Sequence, residues 1–189
     1  RFHHPVALIY RFAREADDFA DEGTATDAVR LGRLERYREQ LRKIERGHVP
    51  DSNWFTELAG VIHNYRLPVS LFYDLLSAFS QDVTRKRYAN FPDVLNYCRR
   101  SADPVGRLLS LFGRATPENL RRSDSICSAL QLVNFWQDVE IDFAMGRIYL
   151  PQDEMKSYGV TEQHIAERHC DDAWRALIRF QIERARGML

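Results

Sequence analysis

Apolar residues recur at three- and four-residue intervals along most of the chain, the spacing of one face of an α-helix. Nowhere do four or more β-branched or aromatic residues alternate with polar ones, so no strand is expected. The pattern predicts a first helix from Pro5, a favourable first-turn residue, to near Gly23, a suitable C-terminal cap. Thr26 and Asp27 can cap a second, reaching about Arg46, with Leu31, Leu34, Leu41 and Ile44 on its stripe. A third runs from about Ser52 to Tyr65, where Leu67-Pro68 stops it, and a fourth from Ser70 to about Val83. Pro92 to Phe112 reads as helical with a kink at Pro104. Thr116-Pro117 starts a short element, a long helix then runs from about Asp124 to Ala144, and Asp171 opens the last. Arg147 to Gly159 reads as irregular. No repeat, low-complexity tract or polar linker marks an internal boundary. The expectation is an all-α, single-domain helical bundle.

Two of these helices carry a polar stripe. At roughly 100° per residue, Tyr10, Arg14, Asp17 and Asp21 fall on one narrow face of the first helix. Gln131, Asn134, Asp138 and Asp142 do the same on the Asp124 helix. Both helices are apolar around most of the remaining circumference, as a buried helix is, so the stripes are expected to line a central cavity. Like charges one helical turn apart repel, more strongly where water is excluded. Asp17/Asp21 and Asp138/Asp142 both carry that penalty, with Asp18 and Glu22 adding to the first. A counter-cation removes it. Two carboxylate pairs suit Mg²⁺, which keeps several waters and shares its other positions with substrate phosphates. Arg14 and Arg147 are placed in the sequence to grip the same phosphates bidentately.

Composition narrows the classes. A chain of 189 residues, 44% hydrophobic and 12% aromatic, can build a core and is not disordered. Lys plus Arg (27) equals Asp plus Glu (27), which gives nucleic-acid binding no electrostatic support. Three cysteines, Cys98, Cys127 and Cys170, are odd in number and show no paired spacing, against both a disulfide framework and a zinc site. A reducing cytoplasmic setting is the natural expectation. No run approaches the ~18 apolar residues a membrane span needs. The start leads into a helix rather than a leader, and Ala173 to Leu189 stops in mid-pattern. The chain therefore reads as an ordered portion of a longer polypeptide. The six histidines show no ligand-like clustering beyond His3-His4, and Cys98 reads as a small buried apolar residue.

The striped residues also carry a resemblance. Tyr10-x-x-x-Arg14-x-x-Asp17-Asp18-x-x-Asp21 resembles the first aspartate-rich motif of the squalene/phytoene synthase family, and Gln131-x-x-Asn134-x-x-x-Asp138-x-x-x-Asp142 is similar to its second. Tyr97-Cys98-x-x-Ser101-Ala102-x-x-Val105-Gly106 resembles the mid-chain signature, and Gly146-Arg147-x-Tyr149-Leu150-Pro151 the segment after the second motif. The match runs through almost the whole chain in order and spacing. It implies the isoprenoid-synthase bundle, here without the family's N-terminal helix and C-terminal helices. It also implies Mg²⁺ on Asp17, Asp21, Asp138 and Asp142, a prenyl diphosphate substrate bound with help from Tyr10, Arg14, Gln131, Asn134 and Arg147, and Tyr97 near the carbocation. Members that join two prenyl diphosphates usually have Arg before the second motif; Gln137 stands there. Asn134 to Val139 and Arg99 to Arg107 look like the bacterial hydroxysqualene synthases, which implies water addition to presqualene diphosphate in hopanoid-type biosynthesis. Substrate and product would both be lipids, so peripheral contact with a membrane surface goes with this reading.

Three other readings stay open at this point: a synthase condensing two prenyl diphosphates to presqualene diphosphate, squalene or phytoene; a non-catalytic assembly member of the family; and a plain helical scaffold with its aspartates as surface charge. The second would be expected to lose motif acids, and all four aspartates are present. Fully exposed stripes would favour the third.

Overall fold

The computed structural model describes residues 2–21, 23–113 and 115–189. Eleven α-helices and no strand occur among the described residues. They are α1 (His3–Asp21), α2 (Asp27–Glu45), α3 (Asn53–Tyr65), α4 (Val69–Thr84), α5 (Phe91–Ser101), α6 (Asp103–Phe112), α7 (Pro117–Gln137), α8 (Val139–Ala144), α9 (Gln152–Ser157), α10 (Glu162–Ala166) and α11 (Asp172–Met188). Among the described residues no helix is long and apolar enough to cross a membrane. Residues group into two compact units: unit 1 holds the chain up to Thr84 with Pro104–Ser123, and unit 2 holds Arg85–Asp103 with Asp124–Leu189.

Three boundaries differ from the sequence expectation. The kink expected at Pro104 is a full break, with α5 capped at Ala102 and α6 starting anew at Asp103. The short element at Pro117 and the Asp124 helix are one continuous α7, which stops at Gln137 rather than Ala144; Asp138 leaves helical geometry (φ −99°, ψ 14°) and α8 begins after it. The stretch expected to be irregular contains α9, a helix of six residues, too short for its periodicity to register in sequence.

Unit 1 forms around α1, α2, α3 and α4. Leu8, Ile9, Phe12, Ala16 and Ala20 repeat every three or four residues on α1 and are buried against Leu34 and Leu41 of α2, Leu58 of α3 and Leu75 and Leu76 of α4. Ala16 and Ala20 let neighbouring side chains come close, and Phe12 fills the centre. Its ring meets Phe72 edge-on at 5.1 Å and Tyr37 at 5.4 Å, arrangements that satisfy the ring quadrupoles. The end of α1 is held from a distance: Arg30 donates to the carbonyls of Ala20, Gly23 (2.9 Å) and Ala25 (3.1 Å), supplying a cation where the helix dipole is negative.

Unit 2 has an aliphatic core of Ile148, Leu150, Met155, Val160, Ile165 and Leu177, with Trp136 and Trp174 against it. Asn90 caps α5 by accepting from the Asp93 amide at 3.0 Å, and Asp171 caps α11 by accepting from Trp174 at 2.8 Å. Buried Asp103 accepts from the Ser128 hydroxyl at 2.7 Å. The fully buried Gln181 donates to Glu154 at 2.5 Å, and Arg184 grips the same carboxylate with its guanidinium over Phe91, 3.9 Å from the ring centre.

Candidate functional site

In unit 1 the first stripe lies where the helical period puts it. Asp17, Asp18 and Asp21 are half-buried, while Arg14 and Tyr10 (68%) are exposed. Arg14 straddles two of the acids, with its guanidinium 3.0 Å from Asp18 and 3.7 Å from Asp17, which offsets part of the like-charge repulsion. The repulsion expected from Glu22 lies outside the described residues.

In unit 2 the second stripe is partly rearranged by the break at Asp138. The α-helical hydrogen bonds nevertheless continue through it: Asp138 donates its amide to Asn134 O at 2.9 Å, and Asp142 donates to Asp138 O at 2.8 Å. Asp138 and Asp142 thus remain one turn apart. The Asn134 side chain donates to Asp138 Oδ2 at 2.7 Å and orients that carboxylate. Asp142 is buried (8%), Asp138 and Gln131 half-buried, Asn134 exposed.

The turn after α8 explains why Gly-Arg comes next to the acidic motif. The helix ends in a Schellman cap: Gly146 N–H donates to Phe143 O, and Arg147 N–H to Asp142 O, both at 2.8 Å. The turn needs a left-handed residue, and Gly146 supplies φ +78°. The cap folds Arg147 back onto Asp142, so the buried guanidinium (6%) lies 3.7 Å from the Asp142 carboxylate. Five residues of separation in sequence become a close charge pair.

Beside this corner sits a buried aromatic cluster. Phe135 and Tyr149 stack face to face at 3.9 Å with 4° between their planes. Tyr97 meets Phe135 at 5.9 Å and Tyr149 at 5.5 Å, and Tyr88 stacks on Tyr149 at 5.4 Å. Burial pushes the neighbouring Cys98 thiol up to about 12, with the Asp103 carboxylate adding to it, so this cysteine stays protonated and inert.

Neither striped helix is buried around its whole circumference: in α1 only the face with Leu8, Ile9, Phe12, Ala16 and Ala20 enters the core, while Ala7 is exposed. In the Asp124 helix Ile126, Leu130 (57%) and Ile141 are exposed, and only one face, with Ala129, Leu132 and Phe135, enters the core. Fully exposed stripes, the mark of a plain scaffold, are not what is found either, since Asp142 is buried and Asp17 and Asp21 are half-buried. The histidines do cluster in one place. His164 and His169 approach the same Asp171 oxygen at 3.4 and 3.7 Å, although nothing in their spacing announces it. Gln137, at the end of α7, lines a groove of about 210 Å³ with Trp136, Glu140, Arg168 and Trp174.

Reasoning from sequence missed Tyr88 and Arg87, whose partners lie far along the chain. No three His, Cys, Asp or Glu side chains converge as a ready-made metal cage among the described residues. The acids come instead as pairs one turn apart, all oxygen donors, which is how a hydrated hard cation is held.

Comparison with known proteins points to one family. The family model for squalene/phytoene synthase matches residues 1–189. A phytoene synthase of Arthrospira platensis is 33% identical over 195 residues, covering 96% of this chain and 62% of the relative. A hydroxysqualene synthase of Zymomonas mobilis subsp. mobilis is 32% identical over 189 residues, covering 99% of this chain and 63% of the relative. Among solved structures, squalene synthase HpnC from Alicyclobacillus acidocaldarius superposes with a TM-score of 0.87 at 36% identity, covering 96% of this chain and 68% of that one. A dehydrosqualene synthase in complex with a ligand gives the same TM-score at 28% identity, over 97% of this chain and 64% of its own. The chain thus spans a little over three-fifths of the length of these two curated relatives, and its fold is the all-α isoprenoid-synthase fold.

Proposed function

This chain belongs to the squalene/phytoene synthase family, and from that premise we propose that it serves a prenyl-diphosphate enzyme that converts presqualene diphosphate to hydroxysqualene. The bond from carbon to the diphosphate oxygen breaks, the carbocation rearranges, water supplies the new carbon–oxygen bond, and diphosphate and a proton leave. The observation that carries the reading is the Asp142–Arg147 corner, a buried carboxylate and guanidinium set side by side by one helix cap. Such a corner presents a fixed cationic fork beside an acid, the combination a bound diphosphate with its counter-ion needs.

Asp17, Asp21, Asp138 and Asp142 would hold Mg²⁺, whose charge would make diphosphate a better leaving group. The chain's own residues do the rest. Arg147 and Arg14 donate to phosphate oxygens, Asn134 keeps Asp138 in one orientation, and Gln131 and Tyr10 lie on the same faces to complete the substrate contacts. Tyr97, in its cluster of rings, offers a π-face to the carbocation and a hydroxyl to an incoming water. Gln137 supports water capture over condensation, because an amide adds no positive charge for a second diphosphate. Lipid substrate and product make contact with a membrane surface part of this proposal.

Incubating the full-length protein with Mg²⁺ and presqualene diphosphate, and identifying the product, tests the reading; hydroxysqualene is expected, and farnesyl diphosphate should be converted poorly. Asp138→Ala or Asp17→Ala should abolish turnover with the fold intact, checked by circular dichroism, and retained activity would count against a metal role for that residue. The second reading, a synthase condensing two prenyl diphosphates, has the equal likeness to a phytoene synthase in its favour. Efficient formation of presqualene diphosphate or phytoene from two prenyl diphosphates would promote it.

A further inference from the structure

We propose that Arg87, in the connector between α4 and α5, is a positioning residue for the Asp142–Arg147 corner, locking the peptide unit that carries Arg147. This deepens the reading of that corner as a diphosphate contact and rests on it. The guanidinium of Arg87 is committed in three directions. Nη1 donates to Gly146 O at 2.6 Å and to Lys86 O at 2.8 Å, while Nε and Nη2 take the two oxygens of Glu162 at 2.7 and 2.8 Å.

The contact with Gly146 O matters because of what lies across the same peptide bond. A peptide unit is planar, so its C=O and N–H directions are fixed together. Here the C=O of Gly146 is held by Arg87, and the N–H of Arg147 is held by Asp142 O. Both ends of one plane are pinned, and the Cα of Arg147 has no rotation left through that plane. The backbone around Arg87 is stitched to the same segment. Ile148 N–H donates to Lys86 O at 3.0 Å, Gln152 N–H to Tyr88 O at 2.9 Å, and Arg87 and Ile148 form a single parallel bridge. Without Arg87, Gly146 is the residue most free to turn, since glycine at φ +78° has alternatives that other residues lack.

The ion pair with Glu162 is too exposed to matter much for stability, with a third to a half of each side chain open to solvent. Geometry is its contribution. A lysine at 87 could reach one partner at a time but not present the fork.

The test uses the full-length protein with Mg²⁺ and presqualene diphosphate. Arg87→Ala should lower kcat about tenfold with KM changed less than about twofold, because Arg147 is misaimed where leaving-group charge grows. Glu162→Gln keeps the Gly146 contact and should stay within about twofold of the unmodified protein, with Arg87→Lys between the two. Unchanged kcat in Arg87→Ala, or equal losses in Arg87→Ala and Glu162→Gln, would overturn the proposal. If the unmodified protein converts no prenyl diphosphate, the functional reading fails, and hydrogen exchange then decides the positioning role alone. The Arg147 and Ile148 amides should exchange about tenfold faster in Arg87→Ala while α11 is unchanged, and unaltered exchange there would refute it.

Discussion

Arg147 illustrates how much a single side chain depends on burial. Its guanidinium and the Asp142 carboxylate are both largely removed from water, so taking one away removes a close compensating charge from the other. Arg147→Met is expected to destabilise the protein by about 3 kcal/mol, the usual penalty for breaking a buried pair. Adding Asp142→Asn should restore part of that, and urea denaturation of the two single variants and the double one measures the coupling. Asp171 makes the opposite case, a half-buried carboxylate held by the groups that donate to it. The Trp174 amide, followed by the imidazoles of His164 and His169, holds its carboxyl below the ordinary value of 3.8. A lowered folded-state pKa stabilises above the unfolded value and is lost as pH falls through the folded one. Asp171→Ala should therefore lower the melting temperature at neutral pH, with the gap from the unmodified protein closing as the pH falls below 3.8.

At the scale of elements, the cap after α8 joins sequence to site. Gly146 adopts φ +78°, and no atom lies within 4 Å of where a Cβ would sit. Gly146→Ala therefore meets no clash, only the left-handed backbone penalty of about 1 kcal/mol. Gly146→Asn should lose less, and denaturation midpoints of the two variants check the order. Most of the helices were legible in the sequence, because Leu34 and Leu41, or Phe12 and Ala16, announce helices by spacing alone. The break at Asp138 was not. Phe135, Val139 and Phe143 keep a four-residue rhythm straight through it, and neither Gly nor Pro marks it. The members of the two acidic stripes could be read from the helical period, which runs on through the break at Asp138, as could the companion Asn134. The Asp142–Arg147 contact needed the turn geometry. Arg87 was out of reach because its partners lie 59 and 75 positions away.

Across the whole molecule, 27 basic and 27 acidic side chains cancel, leaving a formal net charge of zero at pH 7. Proteins without net charge repel one another least, so solubility of this chain at low salt should be lowest near neutrality and rise on either side, as light scattering across a pH series would show. The interleaving of the units bears on the chain's birth. Unit 1 takes residues up to Thr84 and then Pro104–Ser123, while Arg85–Asp103 belongs with residues from Asp124 onward. A ribosome releases these pieces in order of number. The stretch with Tyr88, Val94, Tyr97 and Cys98, all buried in the finished protein, emerges before the residues that will cover it. At the usual pace of translation the nascent chain holds those apolar groups open to solvent for several seconds. Chaperone attention during synthesis should fall there, ahead of the first acidic residue of the second motif.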